Sequence, residues 1–203
     1  MKRSDIYITE KELEFYTDGW RASDAAMSAI QRFLLDYCPR AILETGPGAS
    51  SILFARYAIA MKRDGVDVKY VAVDHLPNEH HERHAGHMKT LGLAAGGVLV
   101  GAEIKDGYFH QAVLDQQVPD KPFDFLFLDG PPKPEHRASE MAYRFVTIRS
   151  SSKSIIVQDD TNRPQERSFI ERVARHHSGF HGVFRVQDQR HRRRWTTFLL
   201  PKR

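Results

Sequence analysis

The stretch Ala41-Ile42-Leu43-Glu44-Thr45-Gly46-Pro47-Gly48-Ala49-Ser50-Ser51 decides how this chain is read. A short apolar run ends in an acid, passes two closely spaced glycines, and enters a segment with helical periodicity over 51–62. Strand, turn and helix in that order open an α/β sheet, where ligands bind beyond the carboxyl ends of the strands, at the point where strand order reverses. Glycines at 46 and 48 let the backbone turn sharply and remove Cβ atoms that would hold a ligand off the main chain. A dinucleotide fingerprint needs a third glycine where Ser51 stands, and Glu44 would repel a pyrophosphate.

Outward from this unit, apolar runs rich in Val, Ile and Phe alternate with helical stretches. Strands are expected over 41–44, 68–74, 98–102, 123–129 and 154–158, with helices over 51–62, 79–91, 135–148 and 165–177. Nearly unbroken apolar strands are buried on both faces, and the alternation implies right-handed crossovers in a parallel sheet. The last two runs, 182–186 and 195–200, flank only a polar turn, too short for a crossover helix, so they are expected to form an antiparallel hairpin. Before the sheet, Ala26, Ile30, Phe33, Leu34 and Tyr37 line one face of a helix, with Ser23 as its N-cap and Pro39 as its stop. The expected organisation is an N-terminal helical extension over 1–40 and one α/β domain over 41–203.

Composition sets the outer limits. With 203 residues, 41% of them hydrophobic and 28% charged, the chain suits one compact domain with a full core, not a disordered or fibrous one. Cys38 is the single cysteine, so no internal disulfide is possible; no secretory signal opens the chain, and its apolar runs are too short to span a bilayer. A soluble, cytoplasmic protein is expected. The net charge is +4, yet positions 163–203 hold 11 Lys or Arg against 3 Asp or Glu. That basic segment either attracts phosphate, carboxylate or nucleic acid, or is a solvated charged hairpin.

The second strand ends in Asp74, where a carboxylate can accept both hydroxyl protons of a ribose, while Glu44 can hydrogen-bond a cationic ammonium group. Two acids and a glycine turn suit a positively charged nucleoside. The constellation resembles the class I S-adenosylmethionine (SAM)-dependent methyltransferases, whose first motif reads acid-x-Gly-x-Gly and whose second strand ends in an acid. The resemblance covers about Ala41 to Leu200, includes the closing hairpin, and implies a Rossmann-like doubly wound, mostly parallel sheet. It also implies that Glu44, Gly46 and Gly48 line the methionine part of SAM, that Pro47, Ser50 and Asp129 bind the cofactor as well, that Asp74 holds the ribose, and that His75 and Leu76 lie near the adenine edge.

The fourth of these strands runs into Asp129-Gly130-Pro131-Pro132 and the fifth into Asp159-Asp160-Thr161-Asn162-Arg163, so three carboxylates converge near the methyl donor. Unpaired, they raise one another's pKa; a hard divalent cation with oxygen ligands would neutralise them. Asp129, Asp159 and Asp160 are similar in placement to the cation ligands of metal-dependent O-methyltransferases, although the adjacent Asp-Asn pair of catechol-type enzymes is missing. The run 160–163, with Arg137 and Tyr143, is similar to sugar-acid O-methyltransferases related to the plant glucuronoxylan enzymes. The plainer alternative is that Asp159 or Asp160 caps the next helix while Asp129 ends a strand over solvent. Without a metal, Asp129, Asp160, or a histidine such as His75 or His136 is the candidate to take the acceptor's proton.

Amino-methylating members of the family carry Asn or Asp directly before Pro-Pro and an aromatic residue. Here Gly130 intervenes and Lys133 replaces the aromatic, which favours oxygen as the acceptor. The reading is a SAM-dependent O-methyltransferase for a small-molecule or glycan hydroxyl, possessing a divalent cation as an option and suited to an anionic substrate. The rivals are a nucleic-acid methyltransferase that uses the basic C-terminal segment, and a non-catalytic Rossmann-like binding protein. His80, His84 and His87 recur at helical spacing, but Glu79, Glu82, Arg83 and Lys89 around them mark an exposed helix with solvated histidines. The turn Arg190-His191-Arg192-Arg193-Arg194 before Trp195 either contacts phosphates or guards a sheet edge against aggregation.

Overall fold

The computed structural model describes residues 3–16, 22–76, 79–177, 180–188 and 194–201. Eight strands form one sheet: β1 (Ala41–Thr45), β2 (Lys69–Leu76), β3 (Val98–Lys105), β4 (Tyr108–Phe109), β5 (Phe125–Leu128), β6 (Ile155–Gln158), β7 (Phe180–Gln187) and β8 (Trp195–Pro201). Their order across the sheet is β4-β3-β2-β1-β5-β6-β8-β7. β3, β2, β1, β5 and β6 run parallel, whereas β8 is antiparallel to both β6 and β7. The expected doubly wound sheet and its closing antiparallel hairpin are therefore both present. The chain winds outward from β1 to β3, then crosses back to β5, so the reversal of strand order lies between β1 and β5.

Helices cover both faces. They are α1 (Glu10–Leu13), α2 (Asp24–Tyr37), α3 (Ala49–Arg63), α4 (Glu79–Thr90), α5 (Gln111–Gln117), α6 (Pro134–Arg137), α7 (Glu140–Ile148) and α8 (Pro164–His176). Alternate strand residues sort by face, as a period of two demands. Ile42, Tyr70, Ala72, Phe125, Phe127, Ile155 and Val157 pack with Ile30 and Leu34 of α2, Phe54 of α3 and Met88 of α4. Leu43, Val71, Val73, Leu126, Leu128 and Ile156 pack with Leu114 of α5, Phe145 of α7 and Ile170 of α8. The N-terminal segment joins the first cluster through Ile6, Ile8 and Tyr16.

The helix α2 begins where its sequence says it should: Ser23 accepts a hydrogen bond from the Ala26 N–H, and Cys38, left-handed at φ 47°, ends it before Pro39. Two segments differ from expectation. The hairpin β3–β4 and the helix α5 occupy a stretch to which the sequence assigned no element; Asp106 and Gly107, at φ 54° and 80°, reverse the chain between Lys105 and Tyr108. The helix expected over 135–148 is broken into α6 and α7 because Ser139 leaves helical geometry and caps α7 at the Ala142 N–H. Among the described residues no helix is long and apolar enough to cross a membrane.

Candidate active site

The two turns on either side of the strand-order reversal meet main chain to main chain. Gly46 sits at φ +75°, and a Cβ there would lie 2.7 Å from the Asp129 carbonyl group and the Gly130 nitrogen. A Cβ on Gly130 would meet the Gly46 nitrogen at 2.5 Å. The contact is fastened by the Asp129 N–H donating to the Thr45 carbonyl at 2.9 Å, and by the Thr45 hydroxyl donating to the Gly130 carbonyl at 3.2 Å. Gly46 also donates its N–H to the Val73 carbonyl of β2 at 2.9 Å. A cavity of about 270 Å³ opens above this floor. Gly46, Pro47, Asp74 and His75 form one wall, while Asp129, Gly130, Pro131, Pro132, Arg137, Asp160 and Arg163 form the other.

Glu44 pairs in register with Ala72, so Asp74, two residues further along β2, projects from the same sheet face. Their surroundings differ. Glu44 is fully buried behind the glycine turn, where Ser51 donates to it at 2.7 Å and Ser50 and Tyr70 donate their hydroxyls as well. Burial pushes its carboxyl up to about 7, against the three hydroxyl bonds that favour the ionised form. Ser51 in turn accepts from the Gly48 N–H at 3.2 Å. Glu44, Gly48 and Ser50 thus brace the turn and the start of α3 from beneath instead of lining the cavity.

Asp74 does line it, and is only 3% exposed. Its Oδ1 accepts the His75 N–H at 2.8 Å; its Oδ2 is buried without a hydrogen bond. A buried carboxylate oxygen lacking a donor costs stability, and a ligand hydroxyl arriving through the cavity would satisfy it.

The three acids converge as expected, but with arginines. Arg137 lies 3.0 Å from Asp129 and 3.1 Å from Asp160, Arg163 lies 3.0 Å from Asp160, and Arg194 lies 2.6 Å from Asp159 and 3.1 Å from Asp160. Asp159 is fully buried, and its second oxygen accepts from Thr196 at 2.5 Å. Although burial alone would lower it, the guanidinium of Arg194 is held well above its ordinary range by Asp159 and Asp160. Burial raises the Asp129 carboxyl to about 8; Arg137 opposes the shift, and the charges of Asp159 and Asp160 add to it.

This arrangement corrects the metal assignment. Each acid that would ligate a cation is already paired with a guanidinium, and among the described residues no cluster of three or more His, Cys, Asp or Glu side chains could hold a metal ion. The donor set does not fit a divalent cation, since arginine supplies the neutralising charge. Nor do Asp159 and Asp160 cap the following helix: α8 starts at Arg163 and Pro164 without a side-chain cap. His136, in α6, does not line the cavity, whereas His75 does.

The histidine helix also differs from expectation. His84 is 2% exposed and bonded to the Tyr16 hydroxyl at 2.9 Å, and burial drives its imidazole down to about 3. His87 stacks on Phe15 with ring centroids 3.9 Å apart, and His80 bonds to the Pro47 carbonyl at 3.0 Å. The histidine face of α4 is therefore packed, joining the N-terminal segment to the glycine turn, and is not solvated. Of the basic turn, 189–193 lie outside the described residues; Arg194 belongs to the acid cluster. Gly130, Arg194 and His81, whose Nδ1 lies 3.5 Å from Asp74 Oδ2 behind the cavity wall, are site residues to which the sequence assigned no such role. Gly130 carried a local signal in its Asp-Gly-Pro-Pro setting, whereas Arg194 was one arginine in a run.

No protein-family model and no curated protein matches this sequence. Solved structures do match. A Klebsiella pneumoniae protein assigned as an O-methyltransferase superposes at TM-score 0.71 and 16% identity, over 95% of this chain and 89% of its own. The Bacillus cereus O-methyltransferase in complex with S-adenosylhomocysteine superposes at TM-score 0.67 and 15% identity, over 98% and 92%. The CMeT domain of the citrinin polyketide synthase gives TM-score 0.54 at 13% identity, over 96% of this chain and 58% of that one. What these distant proteins share with the chain is architecture: it has a class I methyltransferase-like fold.

Proposed function

We propose that this protein binds SAM in the cavity between the β1 and β5 turns and transfers its methyl group to a hydroxyl of a small molecule or glycan. The observation that carries the reading is Asp74: a buried carboxylate with one oxygen lacking a donor, beside a turn where only glycine fits. The paired hydroxyls of a ribose match that carboxylate. SAM, when bound, supplies a methyl group activated by its sulfonium. Gly46 and Pro47 admit the ligand to the main chain, and Asp129, across the cavity, accepts the proton of the acceptor hydroxyl. Arg137, itself anchored by Asp160, holds that carboxylate in place, and alignment of acceptor with methyl supplies much of the remaining rate.

Oxygen is the favoured acceptor because Gly130 separates Asp129 from Pro131 and Pro132. Arg163, on the cavity wall with its side chain 39% exposed, suits an acceptor bearing a carboxylate or phosphate. The donor set makes catalysis independent of a divalent cation, and a cytoplasmic setting belongs to the same reading. Titration calorimetry with SAM tests the proposal. One equivalent should bind and raise the melting temperature, because a ligand of the folded state alone stabilises it. No heat and no thermal shift at millimolar SAM would remove it.

A further inference from the structure

We infer that His81 is a positioning residue that completes the nucleoside site, donating from its Nδ1 to Asp74 so that this carboxylate keeps just two acceptor positions for a cis-diol. The inference rests on the SAM reading above. An ionised carboxylate offers about four lone-pair positions. On Asp74, the His75 N–H takes one position on Oδ1 at 2.8 Å; His75 Nδ1 also lies 3.5 Å from that oxygen, but on a side chain 24% exposed and open to solvent, so it does not need Asp74. His81 Nδ1 lies 3.5 Å from Oδ2, and both of these atoms are buried with no hydrogen-bond partner. Two orphaned polar atoms facing each other are each costly when left apart, and a small approach turns them into one charge-assisted bond. With that bond made, one position on each oxygen is left, which matches two neighbouring hydroxyls.

The fold prepares this contact from a third element. Gly101 of β3 is the register partner of Asp74, and a Cβ there would lie 2.3 Å from Leu76 Cδ1 and 3.3 Å from His81 Cε1. The absent side chain thus gives the imidazole its seat, while α4 delivers it from above. His81 is 18% exposed at its side chain, so it can be replaced without opening the core.

The test is calorimetric binding of S-adenosylhomocysteine and of its 2′-deoxy analogue to the full chain and two variants. His81→Ala should weaken S-adenosylhomocysteine about tenfold, the value of one such bond. It should weaken the 2′-deoxy analogue much less, since the lost order no longer serves a diol. His81→Asn places an amide donor near the position of Nδ1 and should restore binding to within about twofold. Unchanged affinity in His81→Ala, or equal losses for both ligands, would overturn the inference and leave the SAM reading standing. Failure of the unaltered protein to bind either ligand would overturn both.

Discussion

Glu44 and Asp129 show how burial gives two carboxylates different work. Glu44 titrates near 7 in the folded chain against 4.5 for an ordinary glutamate, so between those values the folded state holds a proton that the unfolded state has released. Its contribution is at its fullest below about pH 4.5 and falls as pH rises to 7, by roughly 3 kcal/mol. Urea midpoints of the unaltered chain should therefore decline over this window, and Glu44→Gln should flatten the decline; an identical slope in the variant would show that Glu44 ionises freely. In the proposed mechanism Asp129 is the base, so its ionised form is the active one. With its pKa near 8, log kcat should climb with pH and level off above about 8. Asp129→Asn should lower kcat by about a hundredfold or more and abolish that rise. A variant that keeps the rise would move the proton acceptor elsewhere. His81 belongs at this scale as well, since its approach to Asp74 defines it and no motif in the sequence does.

Among elements, the two turns that meet at Gly46 and Gly130 matter most. Gly46→Ala would place a methyl 2.7 Å from the Asp129 and Gly130 backbone at a left-handed φ, with about 1–3 kcal/mol lost in stability and SAM affinity reduced alongside. Chemical denaturation and calorimetry check this together, and full stability with full affinity would mean the turns can part freely. The strands were legible because Leu43, Val71, Phe125 and Ile156 are apolar in short runs bounded by turn residues, and a buried parallel strand needs nothing subtler. The N-cap at Ser23 was legible for the same local reason. Asp106-Gly107, flanked by Lys105 and Tyr108, is a local hairpin signal to which the sequence analysis assigned no element. Contacts remote in sequence were not legible. His84 is buried because Tyr16 reaches it from 68 positions away, and the polar residues beside it on α4 pointed toward solvent. Positions of Glu44 and Asp74 on one face followed from motif and register, but the division of labour between them did not, because it depends on Tyr70, Ser50 and Ser51 closing over Glu44.

At the scale of the molecule, the sheet assembles a balanced charge cluster from distant parts of the chain. Asp129 follows β5, Asp159 and Asp160 follow β6, Arg137 comes from α6, Arg163 begins α8, and Arg194 precedes β8. The antiparallel return of β8 beside β6 is what brings Arg194 and Thr196 onto Asp159. Because this cluster neutralises itself, chelators should leave methyl transfer unchanged, and added magnesium should not accelerate it; loss of activity in EDTA with recovery on a divalent cation would contradict the arginine assignment. The strand-order reversal places Asp74 and Asp129 around one cavity, and the proposed function makes the first the nucleoside-binding carboxylate and the second the proton acceptor. A crystal structure with S-adenosylhomocysteine tests that claim most directly. The ribose hydroxyls should lie on Asp74 with the sulfur turned toward Asp129; a nucleoside bound away from Asp74, or a sulfur facing away from Asp129, would contradict the proposed site.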